Sequence, residues 1–363
     1  MKKSLFWVLA VLGLTIPWAC SSNSTPTTPG VSNRFPQPTS TPTNLGGYTS
    51  TPTSSPTPTA TLMPTPPFIS SFGAAVTAPN GLAYGNSSIY VAEGDGNSVS
   101  QVQVFGLSGG AAVTQFTAYS GTNFIYPNGV AVSPLNGNIY VLDAGLQSYP
   151  YTGAAIYELT STGTAVTTWP GYGGGTFQAP NGIAIDANGN VYVADSFNNQ
   201  VEEFGAGGAT IAAWTTNVTY GSSTYPVTPM AVALDPSNNL YVADGNNDMV
   251  WELSTAGGTL TTTNSWNLPP PPAAFDSDYQ FYGLAVDASS NVYVADYDNS
   301  LVEIYNNSGS MIGEMTGNEG SATPFIGPDG ILLANNNIYV SDYDSNTGSS
   351  ALGIIEIFGP NGY

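Results

Sequence analysis

The chain of 363 residues is 41% hydrophobic, contains 42 glycines, 28 prolines and 22 tyrosines, and carries a formal net charge of −21 at pH 7. This turn-rich, aromatic-rich composition predicts an all-β protein with a large core and argues against a helical bundle. Because Lys2, Lys3 and Arg34 are the only basic residues and histidine is absent, the rest of the chain lacks the cations of nucleic-acid sites, Ser-His-Asp triads, Schiff-base lysines and histidine-ligated metals.

The N-terminus has the pattern of an export signal. Two lysines precede an apolar run from Leu5 to Leu14, and Cys20 follows at the distance of a cleavage site. The run is shorter than the ~20 residues that a membrane-spanning helix needs. Cys20 is the only cysteine, so no disulfide can form within the chain. We therefore expect a signal peptide over residues 1–19.

The segment Ile-Pro-Trp-Ala-Cys-Ser-Ser, residues 16–22, resembles a bacterial lipoprotein signal. The resemblance implies that Cys20 is lipidated and holds the protein at the bacterial cell envelope or surface, with no other membrane attachment. A secreted protein with an ordinary signal peptide is the alternative. Residues 20–67 are almost entirely Ser, Thr, Pro, Asn and Gly, so we expect an extended, disordered linker.

Residues 68–363 contain six copies of one unit, each with an apolar strand, a turn, a Tyr-Val strand and a third apolar strand. Alternating apolar and polar residues indicate strands, and turns rich in Asn and Gly indicate antiparallel hairpins. The Tyr-Val pairs recur about every 50 residues, a spacing typical of propellers. They begin at Tyr90, Tyr140, Tyr192, Tyr241, Tyr293 and Tyr339.

The clearest copy runs from Ala179 to Phe204, begins Ala-Pro-Asn-Gly-Ile-Ala-Ile-Asp, and closely resembles the NHL repeat. The resemblance implies an all-β fold, a six-bladed β-propeller over residues 68–363 that is expected to be monomeric. The last copy has no fourth strand after Phe358, whereas Phe68–Gly73 precedes the first copy without a blade of its own. We predict that these two ends pair and close the ring, because an open ring would leave unpaired edges.

The loops between the outer strand of one blade and the inner strand of the next are long and aromatic. With the loops between second and third strands they should form one face, which we expect to bind a glycan or protein ligand. Tyr126, Tyr172 and Tyr225 are the candidate aromatic contacts. Trp169, Trp214 and Trp266 stand at equivalent repeat positions and are predicted to belong to the core instead.

The residue just before each predicted inner strand should lie near the central channel. At these positions Pro-Asn-Gly is also typical of a tight turn, which needs no ligand. The candidate ligand-binding residues are Asn80, Asn128, Asn181, Met230, Tyr282 and Asp329.

An acidic residue follows every Tyr-Val strand. Its recurrence predicts that each carboxylate caps its own turn by accepting backbone N–H groups, with a shared calcium ion as the alternative. Asp276 and Asp278, outside the repeat, could also ligate calcium, and no other cofactor is predicted. The repeated acids are Glu93, Asp143, Asp195, Asp244, Asp296 and Asp342.

The sequence favours an exported, surface-tethered propeller that binds glycan or protein ligands and is not an enzyme. Some propellers that resemble this one are lyases or lactonases with a metal in the channel, commonly with histidine among their essential residues. The absence of histidine argues against most of these. A divalent-metal-dependent lactonase- or lyase-like site of Glu93, Asn181 and Asp329 remains one alternative, and a structural envelope scaffold is another.

Overall fold

The computed structural model describes residues 64–72, 76–94, 100–146, 152–220, 222–269, 281–317, 324–344 and 352–359. The signal peptide, the linker to residue 63, Cys20, Asp276 and Asp278 lie outside the described residues. No helix in these ranges is long and apolar enough to cross a membrane.

Within the described residues the strands form six antiparallel sheets of four strands, each a blade, and two short hairpins. In chain order they are β1 (Phe68–Phe72); the first blade's β2 (Pro79–Gly85), β3 (Ser88–Gly94), β4 (Ser100–Gly106) and β5 (Thr114–Phe116); a hairpin of β6 (Ala118–Tyr119) and β7 (Thr122–Asn123); and the second blade's β8 (Pro127–Val132), β9 (Ile139–Asp143), β10 (Ala155–Leu159) and β11 (Ala165–Trp169). The third blade has β12 (Pro180–Ile185), β13 (Val191–Asp195), β14 (Gln200–Phe204) and β15 (Thr210–Trp214), followed by a hairpin of β16 (Asn217–Tyr220) and β17 (Ser223–Pro226). Then come the fourth blade's β18 (Pro229–Leu234), β19 (Asn239–Asp244), β20 (Met249–Ser254) and β21 (Thr261–Asn267); the fifth blade's β22 (Phe281–Val286), β23 (Val292–Asp296), β24 (Leu301–Tyr305) and β25 (Met311–Met315); and the sixth blade's β26 (Pro328–Ala334), β27 (Asn337–Asp344) and β28 (Leu352–Phe358). Single 3₁₀ turns occupy Tyr172–Gly174 and Ser196–Asn198.

The blades form a closed ring around a central channel. Each inner strand contacts the inner strand of the next blade, in the order β2, β8, β12, β18, β22, β26 and back to β2. The predicted closure is confirmed, because β1 is the outer strand of the sixth blade and pairs antiparallel with β28. The rings of Phe68 and Phe358 meet edge to face at 5.8 Å across this pair. The first and last described strands therefore share one sheet.

The hydrophobic core lies between neighbouring blades. The tyrosines of the Tyr-Val pairs are buried in every blade. Trp169, Trp214 and Trp266 are also buried, which confirms their predicted place in the core. Trp266 of the fourth blade, for example, lies 6.2 Å from the ring of Tyr305 in the fifth. The aromatic residues that recur at equivalent positions of the repeat therefore pack between blades and do not form a ligand surface.

The sequence alone allowed the Pro-Asn-Gly segments to be interpreted as tight turns, but in the structure they begin the inner strands. The proline is the first residue of an inner strand, and the candidate channel residue is the second residue rather than the one before the strand. The third residue is glycine in five blades and Ala231 in the fourth. A Cβ added to Gly330 would lie 2.2 Å from the carbonyl oxygen of Asn80 in the next blade. Glycine is needed here because the backbones of adjacent blades approach closely.

We expect Gly330→Ala to destabilise the ring by about 3 kcal/mol, because the new methyl group meets backbone that can move only with its blade. Chemical unfolding in urea measures the change. The matched control is Ala231→Gly, which removes a methyl group that the ring already accommodates and should cost only about 1 kcal/mol. Equal stability of Gly330→Ala and the wild type would contradict the steric requirement.

Candidate functional site

One face of the propeller carries both the ends of the second strands and the loops that enter the inner strands. Asp143, the last residue of β9, accepts hydrogen bonds from the backbone N–H groups of Ile125 and Tyr126, at 2.7 and 2.8 Å, just before β8. Asp195 at the end of β13 likewise accepts from the N–H of Gln178 at 2.7 Å. These contacts bring the two kinds of loop together, and we call this side of the ring the loop face.

The repeated acidic residues accept backbone N–H groups, as predicted, but in five blades they accept from a different loop than the turn that each was predicted to cap. Each of the six accepts a backbone N–H, and in five blades this donor lies in the loop that enters the inner strand. In the fifth blade Asp296 accepts from the N–H of Asn299 at 2.9 Å. Among the described residues no three acidic side chains come close enough to hold a metal ion. The carboxylates therefore fix the loops of the loop face.

The central channel holds a cavity of about 70 Å³ along the inner strands. Its polar wall is formed by the second residues of four inner strands, and because these residues lie near the strand starts, they mark the mouth on the loop face. The rest of the wall is mostly apolar side chains and glycine backbone. The residues of the channel mouth are Asn80, Asn128, Asn181 and Asp329.

The three asparagines of the mouth tie neighbouring blades together. The amide nitrogen of Asn80 donates to the carbonyl oxygens of Gly94 and, in the next blade, of Pro127, at 3.2 and 3.4 Å. Asn128 donates to the carbonyl of Pro180 at 3.4 Å and to the side-chain oxygen of Asn181. The amide hydrogens are thus committed to holding the ring.

Asn181 continues the chain of contacts, and Met230 ends it. The amide nitrogen of Asn181 donates to the hydroxyl of Ser196 at 2.7 Å, and this hydroxyl donates to the carbonyl of Pro229 at 2.6 Å. The same amide contacts the Met230 sulfur at 3.4 Å, and Met230 is buried. Tyr282 is the second residue of β22, and its side chain lies outside the described part of the chain.

Asp329 departs from this pattern, because an ionised carboxylate cannot donate to a carbonyl. The blade-to-blade contact is made instead by Ser341, whose hydroxyl donates to the carbonyl of Asn80 at 3.1 Å and accepts from the N–H of Gly330 at 2.6 Å. Asp329 itself is half-buried at the mouth, and burial raises its pKa to about 7. It forms no hydrogen bond with any other described residue.

Residues 177–204, which span β12, β13 and β14, match the family model of the NHL repeat. The propeller carries an NHL repeat. Among solved structures, the propeller is similar to virginiamycin B lyase from Staphylococcus aureus, with 13% identity, a TM-score of 0.52 and coverage of 80% of this chain and 98% of the lyase. A gluconolactonase from Xanthomonas campestris gives 14% identity, a TM-score of 0.56 and coverage of 84% and 98%.

A catalytically inactive histidine-to-alanine variant of the Staphylococcus aureus lyase, solved with quinupristin, is 15% identical, with a TM-score of 0.51 and coverage of 80% of this chain and 87% of that one. Comparison with curated proteins finds no match for the chain. At these identities the similarities establish the propeller fold and leave the function to be argued from the site.

The aromatic candidates of the loop face differ in how much of each ring is exposed. Tyr126 is only 8% exposed and offers almost no ring surface to a ligand. Tyr172 and Tyr225 are half-buried. Tyr220, which sequence reasoning did not select as a contact, is 42% exposed. Its ring lies 6.1 Å from that of Tyr225 on the β16–β17 hairpin, and its hydroxyl donates to the carbonyl of Asn247 at 3.1 Å.

Sequence reasoning also missed a second set of buried acids, on the third strands. Glu202 lies beside Asp195, and burial together with the Asp195 charge raises the pKa of Glu202. Burial likewise raises the pKa of Glu303 and of Glu356 to about 7, with smaller contributions from Asp296 and Glu314 beside Glu303 and from Asp342 beside Glu356. The signal was present in the sequence as glutamates at apolar strand positions, but their burial depends on strand register.

Proposed function

We propose that this chain is an exported, surface-tethered NHL-repeat propeller that acts as a binding module for a protein or glycan ligand on its loop face. The observation that carries the proposal is the β16–β17 hairpin, which presents Tyr220 and Tyr225 on the loop that enters the fourth blade. Tyrosine combines a flat apolar ring with a hydroxyl, and suits both protein interfaces and sugar rings. The tether rests on the sequence pattern at Cys20.

A binding role also agrees with what the acidic groups do. Glu93, one member of the alternative lactonase-like site, is fully buried, accepts from the N–H of Thr77 at 2.8 Å and does not line the channel cavity. Asn181 and Asp329 therefore lack the third ligand that this alternative needs. The related lyase loses its activity when a histidine is replaced by alanine, and this chain has no histidine.

Tyr220→Ala and Tyr225→Ala are expected to weaken ligand binding by about tenfold each, because each removes an aromatic ring from the contact surface. A glycan array and a displayed peptide library, both screened with the purified protein, identify the ligand, and titration of that ligand measures the variants. The matched control is Tyr84→Ala, since Tyr84 is also exposed but lies near the opposite end of its inner strand.

Two results would contradict the proposal. One is the absence of any ligand in both screens together with turnover of a lactone by the wild-type protein. The other is an equal loss of affinity in Tyr84→Ala, which would place the contact away from the loop face.

A further inference from the structure

The hydrogen bonds at the channel mouth fix which atoms remain free there. A carbonyl oxygen can only accept, so the atom of Asn80 that faces the carbonyls of Gly94 and Pro127 must be its amide nitrogen. The same reasoning orients Asn128 towards Pro180. Neither side-chain oxygen accepts a hydrogen bond from any described residue. At the mouth, Asn80 and Asn128 therefore each present a side-chain oxygen that can accept a hydrogen bond, whereas their amide N–H groups are already used.

Asp329 adds a charged acceptor to the same mouth. It is the only ionisable side chain among the described residues that line the cavity. No partner within the folded chain can neutralise it, because every residue after Arg34 lacks a basic side chain. A half-buried carboxylate without a cation is costly. Protonation can neutralise Asp329, whose pKa burial raises to about 7, and any cation that pairs with its ionised form must come from outside the propeller.

We propose that the channel mouth binds a primary ammonium group, supplied by a lysine side chain of a protein ligand. This inference rests on the proposed function and names the group that the loop face recognises. An alkylammonium has three N–H donors, no acceptor and one positive charge. The mouth offers it the Asp329 carboxylate and the side-chain oxygens of Asn80 and Asn128. Three accepting groups thus stand against three N–H donors, and one negative charge stands against one positive charge.

The size and lining of the cavity favour a lysine over a sugar. Its volume of about 70 Å³ is far below the ~300–1,000 Å³ of pockets that enclose whole small-molecule ligands. A narrow alkyl chain fits such a space, whereas a sugar ring with its substituents does not. The apolar part of the wall, including Leu82, Val130 and Ile183, can contact methylene groups, as lysine stems commonly do with apolar surface.

The test titrates the purified protein with Nα-acetyl-L-lysine N-methylamide, whose side-chain ammonium is free, at neutral pH and low ionic strength, using calorimetry or NMR. We expect saturable binding that disappears when the lysine Nζ of the probe is acetylated. Asp329→Asn should weaken binding by at least about tenfold, because it removes the one ionisable side chain among the described residues of the mouth. This variant is expected to fold, since asparagine occupies the equivalent position in three other blades.

Glu314→Gln is the matched control, because Glu314 is an exposed acid on β25 and its loss changes the net charge equally. An equal loss of affinity in both variants would overturn the proposal in favour of diffuse attraction. Asp329-dependent binding of calcium chloride without binding of the lysine probe would show a metal site instead. A ligand found through Tyr220 and Tyr225 that is insensitive to Asp329→Asn would refute the lysine site and leave the proposed function standing.

Discussion

Raising the pH from 4 to 8 is expected to lower the melting temperature of the propeller, by on the order of 10 °C. Glu93, Glu303 and Glu356 are buried, and burial raises the pKa of each from 4.5 to about 7. A carboxyl group whose pKa is raised on folding contributes its stability fully below the unfolded pKa. That contribution is lost as the pH rises through the folded pKa. Without basic side chains in the folded part of the chain, nothing offsets this loss.

Thermal unfolding followed by circular dichroism, at constant ionic strength from pH 4 to pH 8, measures the effect. Glu356→Gln keeps the size of the side chain and removes one of the titrating groups, so the melting temperature should fall less steeply with pH. Glu314→Gln removes an exposed acid that lies opposite Glu303 and contributes only weakly to its raised pKa, so it should change the slope less than Glu356→Gln does. A melting temperature that stays level or rises between pH 5 and pH 8 would show that the buried acids are ionised at little cost.

Deleting residues 64–72 is expected to lower the melting temperature more than any single substitution proposed above and to cause association through the sixth blade. The deletion removes β1, which pairs with β28 from Phe68 opposite Phe358 to Phe72 opposite Ile355. β28 would then be an exposed edge strand rich in isoleucine, which is a template for pairing with another chain. Thermal unfolding and light scattering after gel filtration measure the two effects.

A deletion of residues 21–63 is the control, because it shortens the chain but keeps β1. This variant should remain monomeric, and its melting temperature should equal that of the wild type. A synthetic peptide of residues 66–73 should restore much of the lost stability when added to the chain that lacks β1, since strand addition to a free edge uses the same backbone hydrogen bonds. A monomeric deletion variant with an unchanged melting temperature would mean that closure contributes little.

The sequence predicts the ring well because its evidence is local and repeated. Alternating strands, Asn-Gly turns and the recurring Tyr-Val pair are each set within one blade, and the unpaired segments at Phe68 and Phe358 can only complete each other. The role of the glycines, by contrast, depends on the neighbouring blade. Gly330 follows a proline and an aspartate as a turn glycine would, yet it is required by the carbonyl of Asn80, far away in the chain.

The candidate site was predictable in its position and less so in its chemistry. Counting repeats places Asn80 and Asp329 at equivalent positions, so the channel mouth could be located. Sequence does not show that the amide nitrogen of Asn80 donates to the carbonyl of Pro127, or that Asp329 forms no hydrogen bond with the other described residues, because both depend on how adjacent blades pack. The exposure of Tyr220 against the burial of Tyr126 also depends on loop conformation, which composition does not determine.

The pairing of β1 with β28 makes the order of synthesis matter. The ribosome produces β1 before any other described strand, but its partner emerges only after nearly the whole domain has been made. Contacts so distant in sequence form late in folding. A chain that stops short of Phe358 therefore has an open ring and an unpaired first strand. Incomplete chains thus differ in structure from complete ones, and proteases can remove the incomplete chains.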